Sequence, residues 1–255
     1  MIHRMHALRA LLLILAPLVS LSSGNAQSVA VAVASNFHRP METLARDFAE
    51  KTGFEVELII GSTGGLYAQI VNGAPYDLFV AADSERPTRL AATGLGTADT
   101  QTTIALGQLA LWSANASLID LAGLEILRDD SIRFLAIANP DVAPYGEAAR
   151  QALNAMGVWE SWAGRLAFGQ NIAQTYAMVA TSNAEIGLVA HSQVISDEET
   201  GGFLLIPESQ YEPIRQDTIL LERGTGNAAA RSLLEYLSSA EARAIIRRSG
   251  YRVTD

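Results

Sequence analysis

The chain has 255 residues, no cysteine and a formal charge of -9, which excludes a disulfide framework and a cysteine-linked lipid anchor. With 27 acidic side chains against 18 basic ones, nucleic acid and anionic membrane are poor partners. A small anion is still acceptable to such a protein if its site uses neutral dipoles and keeps carboxylates at a distance.

Arg4 and Arg9 precede the apolar run Ala10 to Leu21, and the small residues Gly24-Asn25-Ala26 lead into Gln27, which is the form of a secretory signal peptide. The run falls short of the ~20 residues that a spanning helix needs. Residues 1–26 are therefore set apart from the fold. The mature chain loses two arginines and no acid, so it carries 16 basic and 27 acidic residues, a charge of -11. A soluble protein of the periplasm is expected.

The remaining length alternates strand-like and helix-like patterns, as expected of one or two α/β domains with an ample core. Val29 to Ala34 is a small apolar run of the kind buried on both faces of a parallel sheet. Ser35-Asn36 follows directly, and Phe37, Met41, Leu44, Ala45 and Phe48 then recur at helical spacing until Gly53. Val56 to Ile60 is a second strand, Gly61 to Gly65 a tight loop, and Leu66, Ile70 and Val71 mark a second helix. A strand–loop–helix turn of this kind leaves backbone N–H groups free at the helix mouth, and its glycines let an anion approach them. Ser62 and Thr63 add two hydroxyls there, although a serine or threonine at this position also serves simply as a cap.

Asp77 to Ala82 is a third buried strand, with Asp83 or Ser84 capping a helix through Leu90 and Ala92. Asp77 and Asp83 invite a metal reading, but a capping role explains Asp83 and no histidine or cysteine lies nearby to complete a site. Ile104 to Ser113 is expected as one strand, with Gly107 inside it marking the first crossing into the second half of the chain. There Phe134 to Ala138 is a strand, Pro144-Tyr145-Gly146 opens a helix to Met156, and Asn171 with Gln174 forms a capping box for a helix reaching Ser182. Ile186 to Ala190 and Phe203 to Ile206 are further strands. Asp217 to Leu221 returns to the first half, followed by helices over Asn227 to Leu237 and Glu241 to Arg248.

Taken together, AVASNF at 32–37, GSTGGLYAQI at 61–70, GAPYDLFVAAD at 73–83, NPDVAPYG at 139–146 and IGLVA at 186–190 resemble the molybdate-binding proteins of bacterial ABC importers. The resemblance spans essentially the whole mature chain. It implies an α/β fold of the type II periplasmic binding protein kind: two lobes, each a mostly parallel sheet flanked by helices, joined by a two-strand hinge. The lobes implied are residues 27–106 plus 217–255 and residues 107–216. Molybdate, and tungstate with it, is expected in the cleft between them, with a membrane permease as partner, no nucleic acid, a monomeric state and no cofactor. Carried over by position, Ser35 matches the first hydroxyl, Thr63 the second, and Ile172 the residue donating its backbone N–H, with Asn36 and Ser62 adjoining. Tyr145 belongs to a subgroup with PYG that is able to use the phenol as well as the backbone. Molybdenum is then held only as its oxyanion, through Ser35, Thr63, Tyr145 and Ile172.

One departure from the pattern is Ala190-His191, where many members carry a ligand tyrosine. Tyr145 is expected to replace that donor from the other side, with a protonated His191 as the alternative. Catalysis is not expected. GSTGG lacks the spacing of a nucleophile elbow and the lysine of a phosphate loop, and His38 and His191 are the only histidines beyond the signal segment. Sulfate, thiosulfate or phosphate is the alternative solute.

Overall fold

The computed structural model describes residues 28–195 and 201–253. The signal segment lies outside the described residues. In chain order the elements are β1 (Ser28–Ala34), a 3-10 turn (Ser35–Phe37), α1 (His38–Thr52), β2 (Glu55–Gly61), α2 (Thr63–Val71), β3 (Leu78–Ala81), α3 (Glu85–Ala92) and β4 (Thr102–Gly107). Then come β5 (Leu109–Ser113), α4 (Ala116–Ala122), β6 (Leu135–Ala138), α5 (Pro144–Ala155), β7 (Leu166–Gly169), α6 (Ile172–Ala180), β8 (Ile186–Ala190) and α7 (His191–Val194). The chain closes with β9 (Gly202–Leu205), β10 (Ile214–Leu220), α8 (Ala228–Leu237) and α9 (Ala240–Arg248).

The strands form two five-stranded sheets with orders β2-β1-β3-β10-β4 and β7-β6-β8-β5-β9. In the first, β1 runs parallel to β2 and β3 while β10 is antiparallel to β3 and β4. The second repeats the plan, with β6 parallel to β7 and β8, and β5 antiparallel to β8 and β9. Each parallel strand except the outgoing crossings feeds a helix at its carboxyl end. In open α/β sheets that is where ligands bind, at the point where strand order reverses. Both sheets present this edge to the same cleft.

The expected single strand over Ile104 to Ser113 is two strands, β4 in the first sheet and β5 in the second, separated only at Gln108. This is the first crossing between the lobes. The return strand β10 starts at Ile214, earlier than the expected Asp217, and its polar residues Gln216, Asp217 and Thr218 are buried. They are tolerated there because each finds partners: Asp217 accepts from Thr103 Oγ1 at 2.6 Å and from Gln101 Nε2 at 2.8 Å.

The apolar periodicity of α1 buries Met41, Leu44 and Phe48 against β1 and α8, in a cluster with Val29, Val31, Val33 and Leu233. Each such side chain contributes about 1.5–3 kcal/mol by leaving water. Gly53 ends α1 at φ 75°, and its N–H closes onto the Ala49 carbonyl at 2.8 Å. The second lobe has its own cluster around Leu109, Leu135, Leu153, Trp162 and Leu188, and Ala34 and Ala82 of the first lobe pack into it. The lobes are therefore closed on each other at the cleft.

Asp77 is a structural residue. Its carboxylate accepts from the Ala30 N–H at 2.9 Å and from Asn227 Nδ2 at 3.2 Å, and pairs with Arg223. Asp83 accepts from the Arg86 N–H at 2.9 Å in the first turn of α3 and pairs with the Arg86 guanidinium, while burial raises its pKa.

Candidate oxyanion site

A small cavity between the lobes is lined by Ala34, Ser35 and Asn36 from the end of β1, Gly61, Ser62 and Thr63 from the end of β2, and Ala82 after β3. The second lobe contributes Ala143, Pro144 and Tyr145 at the start of α5 and Ile172 at the start of α6. Every residue of the expected set thus borders one cavity, and none of the lining side chains is charged.

Free donors at these mouths follow from helix geometry, since the first N–H groups of a helix have no intrahelical acceptor. In α2, Ser62 is the N-cap, and its Oγ accepts from Gly65 N–H at 3.2 Å. Gly64 N–H donates to Val142 O across the cleft at 2.8 Å, and the Thr63 N–H is left over. The Thr63 hydroxyl accepts from Ala82 N–H at 3.1 Å, which leaves its own proton for another acceptor. In α5, Pro144 at the first position has no N–H to satisfy, and Gly146 and Glu147 both donate to Ala143 O. The unassigned donor there is the Tyr145 N–H. In α6, Asn171 Oδ1 caps the Gln174 N–H at 3.0 Å, and Ile172 at the first helical position borders the cavity. The capping box differs in one detail from expectation: Gln174 Oε1 receives the N–H of Gln170, one residue before the cap.

The side chains of two expected residues turn elsewhere. Asn36 Nδ2 donates to Gln216 Oε1 at 2.7 Å and to Tyr251 Oη at 3.0 Å, so the amide faces the hinge strand and the C-terminal segment. The Tyr145 phenol runs to the same place. It is 2% exposed, it lies so close to Gly107 that any Cβ there would overlap its oxygen, and that oxygen has no hydrogen-bond partner of proper geometry. Burial, with Tyr251 beside it, pushes the Tyr145 phenol well above the usual range, and burial pushes Tyr251 up to about 12. Both phenols are therefore neutral at physiological pH.

His191 does not line the cavity. Its Nδ1 lies 3.2 Å from Gly250 O, its ring packs against Phe203, and burial lowers its pKa, which disfavours the protonated donor.

A larger cleft of about 460 Å³ lies alongside, lined by Asp83, Glu85, Glu147 and Glu212 with Arg86. Its excess of carboxylates, and the pairing of Arg86 with Asp83, make it the wrong environment for a dianion. Sequence reading missed several groups around the small cavity, among them Val142, Ser192 and Tyr251. No local pattern marks them, because their partners are distant in the chain.

Comparison with known proteins agrees with this architecture. Residues 29–252 match the family described as bacterial extracellular solute-binding protein. The chain is 44% identical over 231 residues to the molybdate-binding protein ModA of Azotobacter vinelandii, covering 90% of this chain and 91% of that one. It is 41% identical to the molybdate-binding protein ModA of Rhodobacter capsulatus, over 89% and 88% of the two chains. Among solved structures, the periplasmic molybdate-binding protein of Azotobacter vinelandii superposes with a TM-score of 0.85 at 35% identity, covering 89% of this chain and all of that one. The two-sheet architecture is the type II periplasmic binding protein fold.

Proposed function

We propose, for a chain that belongs to the bacterial extracellular solute-binding proteins, that it captures molybdate in the small interlobe cavity and delivers it to an ABC importer. The observation that carries the site assignment is the convergence of uncharged helix mouths from both lobes on one small cavity. A dianion entering it gives up hydration, and fixed dipoles must replace that water. Ser35 and Thr63 supply hydroxyls, Tyr145 and Ile172 supply backbone N–H groups, and Ser62 adjoins them. Asn36 shapes the first mouth through its backbone while its side chain stays in the hinge. The Tyr145 phenol, on this reading, serves the hinge rather than the anion.

Selectivity comes from the spacing of the dipoles. A cage set for a large tetrahedral oxyanion leaves donors unpaired around sulfate or phosphate, which costs affinity. Tungstate, of the same charge and shape, binds as molybdate does. The protein works in the periplasm as a monomer after removal of its signal segment, and it needs no cofactor.

Titration calorimetry with molybdate, tungstate, sulfate and phosphate tests the reading, on the parent and on Ser35→Ala. Micromolar or tighter binding of the first two ions is expected, with little heat from the others. Loss of one hydrogen bond to a charged ligand in Ser35→Ala should cost about 1.5–3 kcal/mol, roughly ten- to a hundredfold. Equal affinity for sulfate or phosphate would refute the molybdate assignment, and an unchanged Ser35→Ala would move the anion elsewhere.

A further inference from the structure

The short helix α7 directly follows Ala190, where the family pattern leads one to expect a ligand tyrosine, and here it makes a different set of contacts. Ser192, buried on α7 of the second lobe, reaches into the first lobe: its Oγ donates to Asn36 O at 3.2 Å and lies 3.1 Å from Tyr251 Oη. The next residue, Gln193, donates from Nε2 to Ile172 O at 3.2 Å and accepts the Ala190 N–H at 3.1 Å. One helix is thereby bonded to the residue beside Ser35 in one lobe and to Ile172 in the other. These are two of the mouths that face each other across the cavity.

We infer that Ser192 is a positioning residue for ligand capture, a clasp between the lobes that sets the distance of the Ile172 mouth from the Ser35 mouth without touching the anion. The inference rests on the cavity assignment above. The asymmetry of the bonds supports it. Asn36 O also accepts from Tyr251 Oη at 2.7 Å, a bond within the first lobe, so it remains satisfied when the lobes part. The Ser192 bond is thus a term of the closed form, and closing on ligand is where its free energy is expressed. In the closed form the contact is buried, so a missing hydroxyl is not replaced by solvent.

Ser192→Ala tests this by separating two quantities. Molybdate affinity, measured by calorimetry, is expected to fall five- to twentyfold, while the melting temperature without ligand stays within about 1 °C of the parent. The ligand-induced rise in melting temperature should shrink in step with the affinity. An affinity within twofold of the parent overturns the clasp. A ligand-free melting temperature that falls by several degrees also overturns it, since a hydroxyl needed only for folding would give that result. If Ser35→Ala leaves affinity intact while Ser192→Ala lowers it, the clasp stands and the placement of the anion beside Ser35 fails.

Discussion

Gly64 offers the sharpest test of closure over the site. Its N–H donates to Val142 O at 2.8 Å, joining the lip of α2 in the first lobe to the loop before α5 in the second. A Cβ on Gly64 would stand 2.9 Å from Val142 O and 3.0 Å from Val142 Cα, both backbone atoms that cannot swing aside. In Gly64→Ala the lobes must therefore stop short by several tenths of an ångström or deform. Stopping short gives up a hydrogen bond worth about 0.5–1.5 kcal/mol. Overpacking of a fitted contact costs about 1–3 kcal/mol. Either route predicts a loss in molybdate binding of roughly 0.5–3 kcal/mol, between about twofold and 150-fold. In the open form the methyl meets neither atom, and alanine within the first turn of α2 is a better helix former than glycine by up to about 1 kcal/mol. The ligand-free melting temperature should then hold or rise while affinity falls, a combination that simple misfolding does not give. Calorimetry, with circular dichroism melts of the ligand-free protein, measures both. An affinity within twofold of the parent would show that the lobes do not close as described.

Tyr145→Phe should leave molybdate affinity within about twofold and the fold intact, because the phenol removed is packed against Gly107 and Tyr251 at the hinge; a tenfold loss by calorimetry would mean that the hydroxyl turns to the anion. Asp77→Ala should lower stability by about 1–3 kcal/mol in urea melts, since it orphans the partly buried Ala30 N–H and frees Asn227 and Arg223, while molybdate affinity stays unchanged. The His191 pKa is lowered by burial from its ordinary 6.5, so the unfolded chain binds the proton more readily and acidification costs stability. This contribution is complete above about pH 6.5 and is lost as pH falls toward the folded value. Between pH 7 and 5 the parent's melting temperature should therefore drop more than that of His191→Gln, and parallel curves would refute the assignment.

Much of the fold was legible because its strands are buried on both faces. Ile186–Ala190 reads as an unbroken apolar run, and the structure places β8 over the same residues, in the middle of its sheet. Caps were legible too, with Asn171 bonded to the Gln174 N–H and Gly53 in the left-handed region. What escaped has a physical reason in each case. The edge strand β7 leaves Phe168 half exposed and carries no alternation, so Leu166–Gly169 gives no strand signal. Gly107 marks the crossing within Ile104 to Ser113, but a single Gly-Gln pair in an otherwise mostly apolar run does not by itself end a strand, so the split into β4 and β5 gave no signal. The hinge strand β10 reads from Asp217 and not from Ile214 because Arg215 and the buried Gln216 are polar, the latter satisfied by Asn36, 180 residues away.

The candidate cavity was legible at the level of which loops meet, because each parallel strand of an α/β sheet delivers its helix mouth to the same edge. Which atom each residue turns toward the cavity was not. Ser35 and Thr63 carry hydroxyls that cannot reach far from their own backbone, so placing the residue nearly places the donor. Asn36 and Tyr145 have longer side chains, and both are drawn off to the polar knot of Gln216, Ser192 and Tyr251 at the crossing of the lobes. That knot also reframes the alanine at 190. A tyrosine missing from the anion's side suggested a substitute donor, yet α7 beyond Ala190 is bonded to Asn36 and Ile172 from behind. A cage made of backbone N–H groups depends on how firmly its helix mouths are held. On that view, the residues replacing a direct ligand contact here are ones that hold the lobes at the right separation, and the affinity they supply is spent in closing.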